Sequence, residues 1–134
     1  MKCLLDTHTL IWAVDRPSCL GRNARAALED IHQVLMLSVA TLWEMAIKVG
    51  LGKLTLLLPY RQWMTQAIAD LEIQILPITV EVADVQIGLP YYHRDPFDRL
   101  LAAQALTENL SLVSNDPGFD EYGVNRSWWT VRPA

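Results

Sequence analysis

Cys3-Leu4-Leu5-Asp6 is an apolar run too short for a helix, stopped by a carboxylate, and its reading decides the fold. A strand with no polar face belongs in a sheet covered on both sides, the setting of parallel rather than antiparallel sheets. Working outward, β-like and helix-like segments alternate. Residues 34–37, 73–76 and 110–113 read as further strands, and 128–131 as a short edge strand. Between them, 23–31 carries Ala24, Ala27, Leu28 and Ile31 at helical spacing. Ser38 can cap a helix that runs to Gly50 and is stopped by Gly50-Leu51-Gly52. Residues 60–71 and 79–89 also read as helices, the second ending before Pro90. Asp95-Pro96 opens another through residue 108, because Asp is a good N-cap and Pro is favoured at the first helical position. Such alternation predicts an α/β fold, with a parallel sheet of four to five strands covered by helices. Residues 1–134 are expected to form a single domain.

Composition narrows the class. Apolar residues make up 51% of the chain, enough for a core, yet the apolar runs break at Asp, Lys or Gly well short of the roughly 18 residues a membrane span needs. The N-terminus lacks the apolar segment of a secretion signal. Cys3, in a buried strand, and Cys19, in a loop, do not make a disulfide framework and are expected to be reduced. A cytoplasmic protein is the resulting expectation. The net charge of −4, from 11 basic and 15 acidic residues, argues against general phosphate binding through a basic patch. It leaves open a nucleic-acid enzyme whose acidic residues surround a divalent cation.

Four carboxylates are expected to converge. In an open parallel sheet, ligands bind outside the carboxyl ends of the strands. Asp6 follows the first strand and Asp116 the fourth, after Ser114 and Asn115. Helices run back against the strands, so their N-termini reach the same rim. Asp98 falls in the first turn of its helix, and Glu44 lies six residues after Ser38, about 9 Å along the axis at ~1.5 Å per residue. Each residue alone has an ordinary explanation. Asp6 and Asp116 suit turns, Glu44 and Lys48 suit a surface ion pair, and Asp98 suits a helix N-terminus. Asp98, however, shares its helix face with Leu101, Ala102 and Ala105, so it points inward and needs a partner. Clustered carboxylates repel unless a cation balances them, and hard oxygen ligands select Mg²⁺, Mn²⁺ or Ca²⁺ over Zn²⁺. That chemistry suits phosphodiester hydrolysis. No Walker loop, His-Glu-x-x-His pair or Cys-x-x-Cys motif is present.

The chain also resembles the PIN-domain nucleases, specifically the VapC-type toxins of toxin–antitoxin pairs. The matching stretches are Leu4-Leu5-Asp6-Thr7-His8, Leu37-Ser38-Val39-Ala40-Thr41-Leu42-Trp43-Glu44, Ala46-Ile47-Lys48 and Leu51-Gly52-Lys53-Leu54. Two more follow: the run from His93-Arg94-Asp95-Pro96-Phe97-Asp98-Arg99 to Ala105, and Leu112-Val113-Ser114-Asn115-Asp116. The resemblance implies a three-layer α/β/α fold, Mg²⁺- or Mn²⁺-dependent endoribonuclease activity on RNA, a homodimer, and inhibition by a cognate antitoxin. It maps an acidic quartet onto Asp6, Glu44, Asp98 and Asp116. Asp followed by Leu-Leu-Ala-Ala one residue on favours Asp98 over Asp95, which becomes a helix cap and an ion-pair partner for Arg99. Ser114-Asn115-Asp116 stands where many relatives carry Thr-x-Asp, often with a basic middle residue.

Other polar residues have weaker claims. Thr7 and Ser114 could hold a metal-bound water or orient a carboxylate, or only cap turns. Lys48, Lys53, Arg94 and Arg99 could steer phosphate, although such side chains are usually just solvated. His93 could shuttle a proton, although a loop histidine more often has no catalytic part. Trp12, Trp43 and Trp63 are expected on helices, as core or dimer surface rather than base-stacking platforms. Two other readings compete: a phosphatase with Asp6 as nucleophile, and a non-catalytic module that only binds RNA or a partner. The first wants Asp-x-Asp where this chain has Asp6-Thr7-His8. The second is disfavoured by the presence of all four acids.

Overall fold

The computed structural model describes residues 1–128. Strands β1 (Lys2–Leu5), β2 (Val34–Ser38), β3 (Gln74–Leu76), β4 (Ser111–Val113) and β5 (Arg126–Ser127) form one sheet in the order β3-β2-β1-β4-β5. Every pairing is parallel, as expected. The α-helices are α1 (Thr7–Asp15), α2 (Arg22–Glu29), α3 (Val39–Gly50), α4 (Tyr60–Asp70), α5 (Val80–Gly88) and α6 (Pro96–Thr107). Side chains alternate across the pleat, so successive strand residues feed two different cores. Cys3, Leu5, Leu35, Leu37 and Val113 meet Leu10 of α1, Ala24 of α2, Met45 of α3, and Trp63 and Ala67 of α4. Leu4, Met36, Leu76 and Leu112 meet Leu101, Ala102 and Ala105 of α6. α5 closes on α6 through Val82, Leu100 and Ala103. The result is a three-layer α/β/α fold.

Two features of this layout position the site. Leu5 stands opposite Leu37 on one side and Val113 on the other, so three strands end level at one rim. The chain also steps from β1 through β2 to β3 in one direction and then returns to the far side of β1 with β4. A crevice opens where the order reverses, at the carboxyl ends of β1 and β4.

Local caps explain the helix starts. Ser38 Oγ accepts from Ala40 N at 3.0 Å, and Asp95 Oδ1 accepts from Phe97 N at 2.8 Å ahead of Pro96. No bounds for α1 follow from the sequence pattern, because Thr7, Thr9, Ile11 and Trp12 are types that local propensity favours in strands. Tertiary contacts form it instead. Asp6 Oδ1 accepts from Thr9 N at 2.8 Å, Thr9 Oγ1 donates to Val113 O at 2.8 Å, and Leu10 is buried beneath.

The edge strand lies earlier than expected. β5 is Arg126–Ser127, while Trp128 falls outside the ladder and packs against Trp12; residues 129–131 of the expected strand lie outside the described residues. Arg126 fixes the position by donating to Asp120 through two nitrogens and to Ser114 O at 3.0 Å. Cys3 and Cys19 are both free thiols, and burial pushes the Cys3 thiol up to about 11. No helix among the described residues is long and apolar enough to cross a membrane.

Candidate active site

The crevice at the β1/β4 reversal is a cavity of about 280 Å³ lined by Asp6, Glu44, Asp95, Asp98 and Asp116, with Lys48 the one ammonium among them. Each carboxylate arrives on a different piece of backbone. Asp6 follows β1, and Asp116 follows β4 after two residues. Glu44 projects from the buried face of α3, which also carries Ala40, Thr41 and Met45. Asp98 comes from the first turn of α6, and Asp95 is the cap of that helix.

Hydrogen bonds fix most of these groups. Thr7 Oγ1 donates to Glu44 Oε1 at 2.6 Å, and Lys48 Nζ donates to Glu44 Oε2 at 2.6 Å. Of the two roles open to Thr7, orienting a carboxylate is the one its hydroxyl plays. Ser114 Oγ instead accepts from Asp116 N at 3.0 Å, a turn bond. Asp116 Oδ1 accepts from Gly118 N at 2.8 Å, and its Oδ2 lies 2.6 Å from His93 Nε2.

The electrostatics follow from burial, hydrogen bonding and crowding. Burial, then the Asp95 charge, push the Asp98 carboxyl up to about 6, with Glu44 and Asp116 adding to the rise and His93 opposing it. For Asp116, burial would also raise the value, but the His93 and Gly118 hydrogen bonds and the charges of His93 and Arg126 hold it below the usual carboxylate range. Lys48 is held above the ordinary lysine value, first by its hydrogen bond to Glu44 and, against burial, by the charges of Glu44, Asp95 and Asp98. A carboxyl pushed up by burial and then by neighbouring carboxylates marks a place short of positive charge. Oxygen donors dominate, and single ligand atoms of His93, Asp98 and Asp116 lie within 4.8 Å of one another. This donor set fits a hard divalent cation that keeps some of its waters.

Arg99 does not face the cavity, and the expected pair with Asp95 is not made. The buried Arg99 guanidinium donates to the carbonyls of Gln86 (2.7 Å), Leu89 (3.2 Å) and Pro90 (2.7 Å), and lies 3.8 Å from the Tyr91 ring centroid. It ties the end of α5 to the chain that follows, since Gln86 lies in the last turn, where its carbonyl also accepts from Leu89 N, and Leu89 and Pro90 lie just past the helix. Arg94 and Lys53 are exposed and away from the cavity lining; Lys48 lines it. Trp63 is core and Trp43 is 65% exposed, its ring edge against Phe97.

A family model for the PIN domain matches residues 3–125. The chain belongs to the PIN domain family. The expected fold is thereby borne out. Comparison with curated protein sequences gives no significant match. Among solved structures, the chain is similar to one in the VapBC2 complex from Rickettsia felis bound to a promoter DNA fragment. That match has a TM-score of 0.67 and 19% identity, covering 96% of this chain and 99% of the other. A chain of VapBC-1 from nontypeable Haemophilus influenzae matches with a TM-score of 0.62 and 19% identity, covering 97% of each. A toxin–antitoxin complex from Klebsiella pneumoniae gives 0.56 and 25%, covering 87% of this chain and 93% of that one.

Within this PIN domain, one residue gains a part that sequence reasoning did not assign it. His93 sits beside the Asp116 carboxylate, with its ring largely buried. The available signal was its position two residues before the cap of α6, in the same stretch as Asp95 and Asp98.

Proposed function

We propose that this chain, acting as one domain over residues 1–134, is a metal-dependent endoribonuclease that hydrolyses RNA phosphodiester bonds in the cytoplasm. We further propose that it serves as the VapC-type toxin of a toxin–antitoxin pair. The observation that carries this reading is the convergence of Asp6, Glu44, Asp98 and Asp116 on one cavity in which the Asp98 carboxyl is pushed up to about 6. Asp6, Glu44, Asp98 and Asp116 would hold Mg²⁺ or Mn²⁺. When bound, the cation polarises a phosphate and lowers the pKa of coordinated water. The chain's own groups do the rest. Thr7 and Lys48 keep Glu44 aimed, and the Lys48 ammonium supplies a positive charge at the mouth that a phosphate can meet.

The experiment is RNA cleavage by the purified chain in EDTA, then with Mg²⁺ or Mn²⁺ restored, beside Asp6→Asn. Asn keeps the cap on Thr9 N but removes the charge, so the variant should fold and not cleave. Cleavage that persists in EDTA, or in Asp6→Asn, would sink the proposal.

A cognate antitoxin is the proposed partner, and the surface beside the site supports it. An apolar groove of about 540 Å³ runs between the end of α1, Leu57–Leu58 and α4. It shares Asp15 and Leu57 with a second depression, which shares His8 and Trp12 with the acidic cavity. An antitoxin segment lying in this trough could end with an arginine among the carboxylates, where guanidinium pairs bidentately. Raising Mg²⁺ should then partly relieve inhibition, and an Arg→Ala antitoxin should bind yet inhibit poorly. If neither change alters inhibition, the arginine plug is excluded and the nuclease reading stands.

A further inference from the structure

We infer that His93 is a positioning residue that locks the Asp116 carboxylate in its metal-binding orientation by donating a hydrogen bond from Nε2, and is not itself a metal ligand. The inference rests on the nuclease reading and adds a residue to it.

The ring has little freedom. It stacks on Tyr122 with centroids 5.6 Å apart and planes 14° from parallel, and lies against Phe119 with centroids 4.6 Å apart. Its backbone N donates to the Tyr122 hydroxyl at 3.0 Å. Gly118 closes the remaining side. A Cβ there would lie 3.1 Å from both His93 Cε1 and Nε2 and 3.0 Å from Asp116 Oδ1, tighter than nine in ten real Cβ contacts. The glycine therefore lets the 117–118 turn press against the imidazole while its N–H holds Asp116 Oδ1. Asp116 is thus gripped from both ends, one donor on each oxygen, and each oxygen keeps a lone pair for another partner.

The other ring nitrogen decides between donor and ligand. His93 Nδ1 is buried and has no hydrogen-bond partner. A histidine bound to metal through Nε2 carries its proton on Nδ1, and such ligands almost always donate that N–H to an acceptor. Here the N–H would be buried without one. With the proton on Nε2, that N–H is satisfied by Asp116 at 2.6 Å, and the atom left without a partner is an acceptor, which proteins leave unpaired in their interiors more often than an N–H. Although His93, Asp98 and Asp116 could be grouped by distance alone, the surroundings of the ring favour the donor role.

The test is Mn²⁺ binding by the metal-free protein, read from the loss of the free-ion EPR signal, with ¹⁴N modulation of the bound ion as the second readout. His93→Phe keeps an aromatic ring between Phe119 and Tyr122 and removes the donor; His93→Gln keeps a donor. The phenylalanine variant should bind Mn²⁺ about 10–100-fold more weakly, the usual range for losing a partner that orients a ligand, with glutamine recovering most of the affinity. Wild-type Mn²⁺ should show no directly bonded nitrogen from His93. A ¹⁴N coupling present in wild type and lost in either variant would make His93 a ligand and overturn the inference. Unchanged affinity in His93→Phe would also overturn it, while leaving the metal site intact. If the phenylalanine variant does not fold, the wild-type and glutamine spectra still decide. Failure of the wild type to bind Mn²⁺ at all would instead remove the nuclease reading and this inference with it.

Discussion

Asp98→Asn should make the metal-free protein more stable at neutral pH, although it deletes a charged group from the proposed centre. The folded-state carboxyl is pushed from 3.8 up to about 6. A raised carboxylate means that the folded state binds the proton more tightly than the unfolded chain. Between those two values the native state therefore holds more protons, and stability falls as pH rises. Below about pH 4 both states are protonated and there is no penalty; above about pH 6 the penalty is complete. Two pH units correspond to ~3 kcal/mol at ~1.4 kcal/mol each. Because Asp98 is only partly buried, solvent screening reduces this to about 1–2 kcal/mol. For a chain of this length that is a melting-temperature gain of about 4–7 °C. The assay is thermal unfolding of both proteins in EDTA from pH 4 to pH 8. The gain should be absent at pH 4, open between pH 4 and 6, and stay level above. Added Mg²⁺ should then stabilise the wild type more than Asp98→Asn. A variant no more stable than wild type at pH 7.5, or a difference that does not vary with pH, would refute the claim that burial and the neighbouring carboxylates penalise the Asp98 charge.

Asp95→Asn should reduce RNA cleavage far less than Asp98→Asn. Asn still caps Phe97 N, so the helix start should hold within a few tenths of a kcal/mol; equal losses in a side-by-side kinetic assay would reverse the assignment. Arg99→Ala should cost roughly 2–4 kcal/mol by urea unfolding, since three carbonyls at the end of α5 lose a charged donor. Lysine should restore only part, lacking the planar fork, and a neutral Arg99→Ala would show the network to be dispensable. The homodimer that the family resemblance implies has a candidate face in Val39, Trp43, Ile47 and Leu51, exposed apolar residues at four-residue spacing along α3 and just past its end. Trp43→Glu should shift sedimentation from dimer to monomer, and an unchanged species would move the interface elsewhere.

What could be read from the residues alone was whatever local chemistry imposes. The apolar runs at β1, β2 and β4 have no polar face and must be covered on both sides, so a parallel α/β sheet followed. Ser38 and Asp95 are good caps, so the starts of α3 and α6 followed, and with them the height of Glu44 and Asp98 above the rim. Tertiary structure decided the rest, because it depends on partners distant in sequence. The helix expected around Trp12 takes its bounds as α1 through Asp6, Thr9 and the carbonyl of Val113, over a hundred residues away. Arg99 left the acidic rim for the end of α5, where three carbonyls fixed by the backbone fill its planar fork while Asp95 is occupied in capping its own helix. His93 acquired its position only when β4 came beside β1 and the turn after it delivered Asp116, Gly118, Phe119 and Tyr122 around one imidazole.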